Sequence, residues 1–277
     1  MRIKYSNEQQ MKIQDVNANE EFTIYFSPGR YGLMSQLRID GELLPMKKEG
    51  RWIWSFGNRD NQESDRLALI RILSDYFGDI FKIKNLELED CIEPKQLKCF
   101  ENNKILDSFT IKNLRDELNA ENMNFIMKDL RVSSLSLNTP IQRDFVYSEP
   151  LRCVNFEMDW ASWLPMDTIL NMECETVEIE NEDLSYEQLN QIIRKWKNGG
   201  LNNLRLFKMT MHVNDEDERD GILEQVLNQI DNFQGDPEDR PEYQNLDLSN
   251  GRDIRRDDEK IATVDVIEFL FIFIVWP

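Results

Sequence analysis

Short segments of alternating apolar and polar residues recur along the middle of the chain at a nearly constant spacing. Five of these segments have their first apolar residue at positions 86, 109, 135, 154 and 177, which gives steps of 23, 26, 19 and 23 residues. Alternation places successive side chains on opposite faces, so each segment is typical of a strand with one buried face. The steps lie within the ~20–29 residues of leucine-rich repeats. The spacing therefore predicts an irregular leucine-rich-repeat-like sheet backed by helices.

The clearest helical pattern lies between two of these strands, at residues 185–197. Ser185 and Gln188 have the spacing of a capping box, in which each side chain accepts a hydrogen bond from the other residue's backbone N–H. Gly199 follows the last helical residue and can adopt the left-handed conformation that ends many helices. Four apolar residues share one face of this helix and are expected in the core: Leu189, Ile192, Ile193 and Trp196.

Apolar residues at helical spacing predict two further helices. One covers residues 66–81, and the other covers 216–233, with Phe233 turned inward and Gly235 at its end. Beyond this second helix, apolar residues at 246 and 248 and the aromatic and β-branched stretch 261–276 predict strands that close the chain.

The N-terminal part of the chain has a pattern typical of strands joined by turns. Apolar residues alternate at period two over residues 1–60, and the dipeptide Asp40-Gly41 is a strong hairpin signal. We therefore predict an α+β fold with a β-rich N-terminal portion, residues 1–60, followed by the leucine-rich-repeat-like region, residues 61–277.

The charge and residue content exclude several functions. Asp and Glu number 52 against 33 Lys and Arg, for a formal net charge of −19. Nucleic-acid backbones and anionic membranes are bound by clustered positive charge, so we expect neither as a partner. The chain has one histidine and none of the common phosphate-binding, serine-hydrolase or zinc-protease motifs. We therefore expect a protein that is not an enzyme, with no catalytic residues, no metal site and no cofactor.

The four cysteines, Cys91, Cys99, Cys153 and Cys174, lack the C-x-x-C spacing of zinc or redox motifs. Small buried thiols in a reducing cell are the favoured interpretation, and a disulfide pair is the alternative. The N-terminus has no apolar stretch typical of a signal peptide, and the C-terminal apolar run is far shorter than the ~20 residues of a membrane helix. A cytoplasmic or nuclear location is expected.

The polar residues of the repeated strands form the one candidate functional surface. If the apolar positions lie under helices, the alternate positions line an open sheet, a surface that stacked-repeat proteins commonly use to bind partners. These positions include five glutamates and two lysines, so the surface is acidic and a basic protein target is expected. The predicted partner-binding residues are Glu87, Glu89, Thr110, Lys112, Ser136, Asn155, Glu157, Glu178, Glu180, Lys208 and Thr210.

Residues 184–204, LSYEQLNQIIRKWKNGGLNNL, contain the capped helix and the glycine turn that follows it. This segment resembles a characteristic helix and turn of the type 2 F-box-associated domain of nematode F-box proteins. Residues 160–177 resemble its opening helix and strand, while 253–263 and 273–276 resemble its closing strands. Residues 73–81 fit the helix that precedes the repeats. The resemblance covers about residues 150–277, which would be the core of the type 2 domain.

The resemblance implies a substrate-recognition part of an SCF-type ubiquitin ligase, in which the associated domain captures a target protein. In that family an F-box binds a Skp-type adaptor, and we recognise no F-box in this sequence. A Skp-type adaptor is therefore expected only if an F-box is present elsewhere. The first alternative is an F-box-less scaffold or truncated interaction protein without a ligase link. The second is an enzyme of unknown class.

Overall fold

The computed structural model describes residues 2–6, 10–15, 20–28, 35–39, 42–48, 53–58, 84–89, 105–112, 117–159, 163–180, 184–211, 218–235, 247–267 and 270–277. The chain divides into two compact units, a first unit of Met1–Gln142 and a second unit of Arg143–Pro277. The predicted helix at 66–81 and the Asp40-Gly41 turn lie outside the described residues. The predicted division of 1–60 from 61–277 stays a prediction.

The described part of the first unit contains nine strands in one sheet, in the order β9-β8-β7-β1-β2-β3-β6-β5-β4. Neighbouring strands are antiparallel in the pairs β1–β2, β2–β3, β4–β5 and β5–β6, and parallel in the others. The β-rich N-terminal portion is therefore confirmed. The strands are β1 (Arg2–Ser6), β2 (Gln10–Asp15), β3 (Glu20–Pro28), β4 (Ser35–Ile39), β5 (Glu42–Lys48), β6 (Ile53–Asn58), β7 (Asn85–Glu89), β8 (Ile105–Lys112) and β9 (Arg131–Asn138).

A short helix precedes β9. Helix α1 (Ala120–Asn124) begins at Asn119, whose side-chain oxygen accepts a hydrogen bond from the backbone N–H of Asn122 at 3.0 Å. The helix continues as a wider π-helical turn, Phe125–Asp129, in which Leu130 N–H donates to Phe125 C=O at 3.1 Å. The backbone of this connection is therefore hydrogen-bonded at both ends.

The second unit contains, in its described part, six strands in the order β10-β11-β12-β15-β14-β13. Strands β10, β11 and β12 are parallel neighbours, and β15, β14 and β13 add to them antiparallel. The strands are β10 (Asn155–Met158), β11 (Thr176–Glu180), β12 (Leu206–Thr210), β13 (Arg252–Arg255), β14 (Ile261–Ile267) and β15 (Leu270–Val275). The helices are α2 (Met166–Leu170), α3 (Tyr186–Lys197) and α4 (Glu218–Val226).

Helix α3 forms as its sequence predicts. The backbone N–H of Gln188 donates to Ser185 Oγ at 3.3 Å, and the backbone N–H of Ser185 donates to Gln188 Oε1 at 2.8 Å. Gly199 has φ +83°, the left-handed conformation expected where a helix ends. The four predicted core residues of this helix are all buried.

The core of the second unit lies between the sheet and its helices. The Trp196 ring of α3 meets the Phe273 ring of β15 edge-on, with centroids 5.4 Å apart. Trp163, just before α2, lies in the same way against Phe156 of β10 at 6.4 Å. Aromatic residues of this size contribute the most to burial energy, about 1.5–3 kcal/mol for each side chain removed from water. The α+β class and the helix-backed sheet are confirmed, whereas the leucine-rich-repeat-like character stays a prediction.

Two predictions for the C-terminal part are wrong. Helix α4 ends at Val226, not at Phe233, because the chain turns at Gln229, which has φ +57°. Phe233 is 39% exposed, and its backbone pairs with that of Asp253. The segment around Leu248 is a turn, where a strand was expected, and the Leu248 side chain packs onto the sheet.

Candidate interaction surface

The strand register of the second unit places polar side chains in rows on one face of the sheet. Glu157 pairs with Glu178, and Glu178 pairs with Lys208, so the three lie side by side across β10, β11 and β12. Glu180 and Thr210 form a second row, two residues further along the strands. Because alternate residues share a face, both rows lie opposite the helix-covered core. The polar face consists of Asn155, Glu157, Glu178, Glu180, Lys208 and Thr210.

The polar face is accessible and mostly acidic. Asn155, Glu157 and Glu180 are exposed, whereas Glu178, Lys208 and Thr210 are half-buried. The Lys208 ammonium forms an ion pair with the Glu178 carboxylate at 2.9 Å, which fixes these two side chains relative to each other. The remaining glutamates leave a net negative charge on the face. Such a surface can bind a partner by hydrogen bonds and charge, without any covalent chemistry.

Asp159, at the C-terminal end of β10, extends this negative charge. Partial burial, the largest cause, and the negative charges of Glu180 and Glu157 together raise the pKa of the Asp159 carboxyl to about 6. The two glutamates are thus close enough to disfavour the ionisation of Asp159. A positive group placed beside them would relieve this repulsion.

The corresponding residues of the first unit are less accessible. Glu87, Thr110 and Ser136 form one row across β7, β8 and β9. Glu87 is 4% exposed and Ser136 is 8% exposed, so the expectation of an open position does not hold for these two residues. On β7, Leu86 and Leu88 are buried as well, which means that both faces of this strand are covered and alternation no longer separates solvent from core.

The remaining predicted residues of the first unit have mixed environments. Thr110 and Lys112 are half-buried on β8, and Glu89 lies on β7 with its side chain outside the described residues. Ser136 Oγ donates a hydrogen bond to Asn138 Oδ1 at 2.7 Å, so its hydroxyl already has a partner within β9. The structure therefore favours the second unit as the place where the predicted surface is open.

A small apolar cluster borders the polar face on the same side of the sheet. Leu206 pairs with Ile274, and Lys208 pairs with Ile272, so these apolar residues continue the polar rows onto β15. Leu248 packs on Leu206, Ile272 and Ile274, and all four side chains are buried. The sequence of β15 is consistent with this burial, because it is apolar at every position and does not alternate, as is typical of a strand with both faces covered. The open part of the face is thus confined to β10, β11 and β12.

Buried polar side chains hold the closing strands in register. Thr263 Oγ1 donates to Asp253 Oδ1 at 2.5 Å, and Trp276 Nε1 donates to Thr263 Oγ1 at 2.8 Å. Asp265 is 1% exposed and forms an ion pair with Arg219 of α4 at 2.5 Å. Each of these groups has a structural partner, so their burial requires no catalytic explanation.

A pocket of about 480 Å³ lies at the C-terminal end of α4 and is lined by Asp220, Glu224 and Arg252 together with neutral residues. No group of three or more His, Cys, Asp or Glu side chains in the described ranges has a geometry that could hold a metal ion. Within the same ranges, no helix combines the length and the apolar character needed to cross a bilayer.

Comparison with known families identifies one segment. Residues 144–209 match the family described as F-box associated, which confirms the resemblance to the type 2 domain over this stretch. The comparisons with curated proteins and with solved structures found no match. The matched segment contains α2, α3, β10 and β11 and nearly all of β12, so it coincides with the strands that carry the polar face. F-box-associated segments are protein-interaction modules, which implies protein partners.

Proposed function

We propose that this chain captures a target protein for an SCF-type ubiquitin ligase, as the substrate-recognition part, and that it is not an enzyme. The observation that carries the proposal is the coincidence of the F-box-associated segment, residues 144–209, with the open polar face. Target capture needs an accessible, rigid surface with a defined pattern of charge and hydrogen-bond partners. Three parallel strands in register provide such a pattern.

The target segment is basic. Glu157 and Glu180 both disfavour the ionised carboxylate of Asp159, and Lys208 is already paired with Glu178. Lysine or arginine side chains of a target would neutralise this excess negative charge, whereas an acidic segment would increase the repulsion. Exposed charge pairs are individually weak, so several must act together for specific binding.

An array of synthetic peptides with graded Lys and Arg content tests this preference. The surface variant Glu157→Lys/Glu180→Lys is compared with Asp144→Lys/Asp257→Lys, which makes the same change in net charge at exposed positions outside the polar face. We expect the wild type and the control to bind the basic peptides, and the surface variant to lose about 10-fold or more in affinity. Equal losses of affinity in both variants would show that net charge alone governs binding and would refute the polar face as the binding site.

The link to a ligase is tested separately. A Skp-type adaptor binds an F-box, so we expect purified adaptor to be retained by a polypeptide that includes an F-box together with this chain. The chain is immobilised with and without the F-box, and each form is incubated with purified adaptor. Target ubiquitination is then measured with the assembled ligase. Adaptor-dependent ubiquitination that is lost in the Glu157→Lys/Glu180→Lys variant supports the proposal. Peptide binding without ubiquitination in the complete ligase would favour an interaction protein with no ligase link.

A further inference from the structure

We propose that Cys153 and Cys174 are a redox pair, which a peroxide converts reversibly into a disulfide. Both thiols are free in the structure, and their Sγ atoms are 3.8 Å apart. This is close to van der Waals contact between sulfur atoms. The two residues are separated by 21 positions in the sequence, so only the fold brings them together.

The backbone geometry suits a disulfide. Cys153 and Cys174 each stand two residues before a paired strand position, Asn155 and Thr176, which face each other in the parallel register of β10 and β11. The hydrogen bonding continues outward from the strands, because Glu173 N–H donates to the carbonyl of Leu151 at 2.8 Å. The two segments therefore run at about the 4.8 Å spacing of neighbouring strands, within the range of Cα separations that disulfides span, ~4.4–6.8 Å. Rotation of the two side chains is sufficient to form the bond.

The environments of the two thiols assign their roles. Cys153 is 8% exposed and Cys174 is 1% exposed, so a small oxidant reaches Cys153 more readily. A hydrogen bond from the Cys174 thiol lowers the pKa of Cys153, whereas that interaction and burial raise the pKa of Cys174. Cys153 is therefore the nucleophile that meets the peroxide, and Cys174 is the thiol that resolves the product.

The reaction balances with hydrogen peroxide as the oxidant. The Cys153 sulfur attacks one peroxide oxygen and the O–O bond breaks. The released hydroxide takes the proton lost from the Cys153 thiol and leaves as water, which produces a sulfenic acid on Cys153. The Cys174 sulfur then attacks the Cys153 sulfur, the S–O bond breaks, and hydroxide leaves with the Cys174 proton as a second water. The two sulfurs together lose two electrons, and the peroxide gains them. A small dithiol reverses the reaction by thiol–disulfide exchange.

Mass spectrometry of the intact chain tests the proposal directly. The protein is treated with hydrogen peroxide, alkylated, digested and mapped, with the Cys91→Ser/Cys99→Ser variant as the control that leaves only the proposed pair. We expect a peptide that links Cys153 to Cys174, the loss of two hydrogen atoms from the intact mass, and full reversal by dithiothreitol. A link from either residue to Cys91 or Cys99 instead, or oxidation of Cys153 to sulfinic acid without any link, would overturn the proposal.

Thermal unfolding and trapping give an independent readout. A cross-link restricts the unfolded chain, so the oxidised protein should melt roughly 5–10 °C higher than the reduced one. This shift should be absent in Cys174→Ser, in which dimedone should trap the sulfenic acid of Cys153. A peroxide-induced rise in Tm that persists in Cys174→Ser would contradict the assigned pair, and trapping at Cys174 in Cys153→Ser at an equal rate would contradict the assigned roles.

Discussion

The guanidinium of Arg256 lies over the ring of Trp196, with its central carbon 5.3 Å from the ring centroid. Arg256 is 6% exposed, and its Nε and Nη2 donate to the two carboxylate oxygens of Asp258 at 2.7 and 2.5 Å. Its Nη1 donates to Asn202 Oδ1 at 3.0 Å. One side chain therefore joins the turn after β13 to helix α3 and to the loop before β12. The fork of five donors on arginine makes this possible, and lysine could not reproduce it.

Substitution Arg256→Ala should lower the free energy of unfolding by about 2–3 kcal/mol. It removes a cation–π contact with Trp196 and a two-point charged hydrogen bond with Asp258, both at a buried side chain. Urea unfolding of the variant and of Arg255→Ala measures the difference. Arg255 is exposed, pairs with the exposed Glu259 and lies over the partly exposed ring of Phe233, so its removal should cost about 1 kcal/mol or less. Similar losses in both variants would contradict the structural role of Arg256.

Asp159 should make the stability of the protein depend on pH. Its folded pKa of about 6 exceeds that of an unfolded aspartate, about 3.9, so the folded state binds more protons between these values. Ionised Asp159 therefore destabilises the fold above pH 6, and this cost disappears as the pH falls towards 4. We expect Asp159→Asn to be more stable than the wild type at neutral pH, with an advantage that shrinks on acidification. Urea unfolding at several pH values measures it.

Carboxyl titration by NMR checks the cause of this behaviour. Because the negative charge of Glu180 contributes to the raised pKa of Asp159, Glu180→Gln should lower the titration midpoint of Asp159. Burial is the largest cause, so the midpoint should stay above that of an unfolded aspartate. An unchanged midpoint would show that the two carboxylates do not interact.

Local sequence signals predict those elements whose ends are determined by nearby residues. Helix α3 is an example, because the capping box of Ser185 and Gln188 and the turn at Gly199 all lie within one turn of the helix ends. The strands of the polar face were also predictable, since their alternation is regular on β10 and β11. The rows Glu157, Glu178 and Lys208 follow directly once those strands are parallel and in register.

The end of α4 could not be predicted, because its cap comes from another helix. The side chain of Asn190 on α3 donates to the carbonyls of Val226 at 2.7 Å and Asn228 at 3.1 Å. Arg194, one turn further along α3, donates to the Asn228 carbonyl at 2.8 Å. These contacts satisfy the last carbonyls of α4 across a separation of more than thirty residues. The apolar residues that continue at helical spacing up to Phe233 give no sign of them.

Removal of this remote cap should affect α4 selectively. Asn190→Ala leaves the Val226 and Asn228 carbonyls with fewer donors and should lower the free energy of unfolding by about 1–2 kcal/mol. Amide hydrogen exchange should accelerate most in α4. The control Asn124→Ala removes an exposed bond to the carbonyl of Ala120 and should change stability by less than about 0.5 kcal/mol. Equal acceleration of exchange throughout the second unit would argue against a local cap.

The burial of Glu87 likewise could not be predicted, because alternating apolar and polar residues indicate a strand but not which of its faces other elements cover. Glu87→Lys replaces a carboxylate that is 4% exposed and should lower the free energy of unfolding by about 2 kcal/mol or more. Glu157→Lys makes the same change at an exposed position and should have an effect within about 0.5 kcal/mol. Thermal and urea unfolding of the two variants compare them. A stable Glu87→Lys protein would restore Glu87 to the list of accessible partner-binding residues.

Two glycines of the second unit should respond to alanine in opposite directions. A Cβ at Gly221 would meet nothing within 4 Å, and alanine in an exposed helix position reduces the entropy lost on folding, so Gly221→Ala should stabilise by about 0.5–1 kcal/mol. A Cβ at Gly251 would lie 2.5 Å from Thr263 Cγ2 and 3.2 Å from the Val264 carbonyl oxygen. Thr263 cannot rotate away without losing its hydrogen bond to Asp253, so Gly251→Ala should destabilise by about 1–3 kcal/mol. Urea unfolding measures both changes, and stabilisation by Gly251→Ala would show that the packing around Thr263 yields easily.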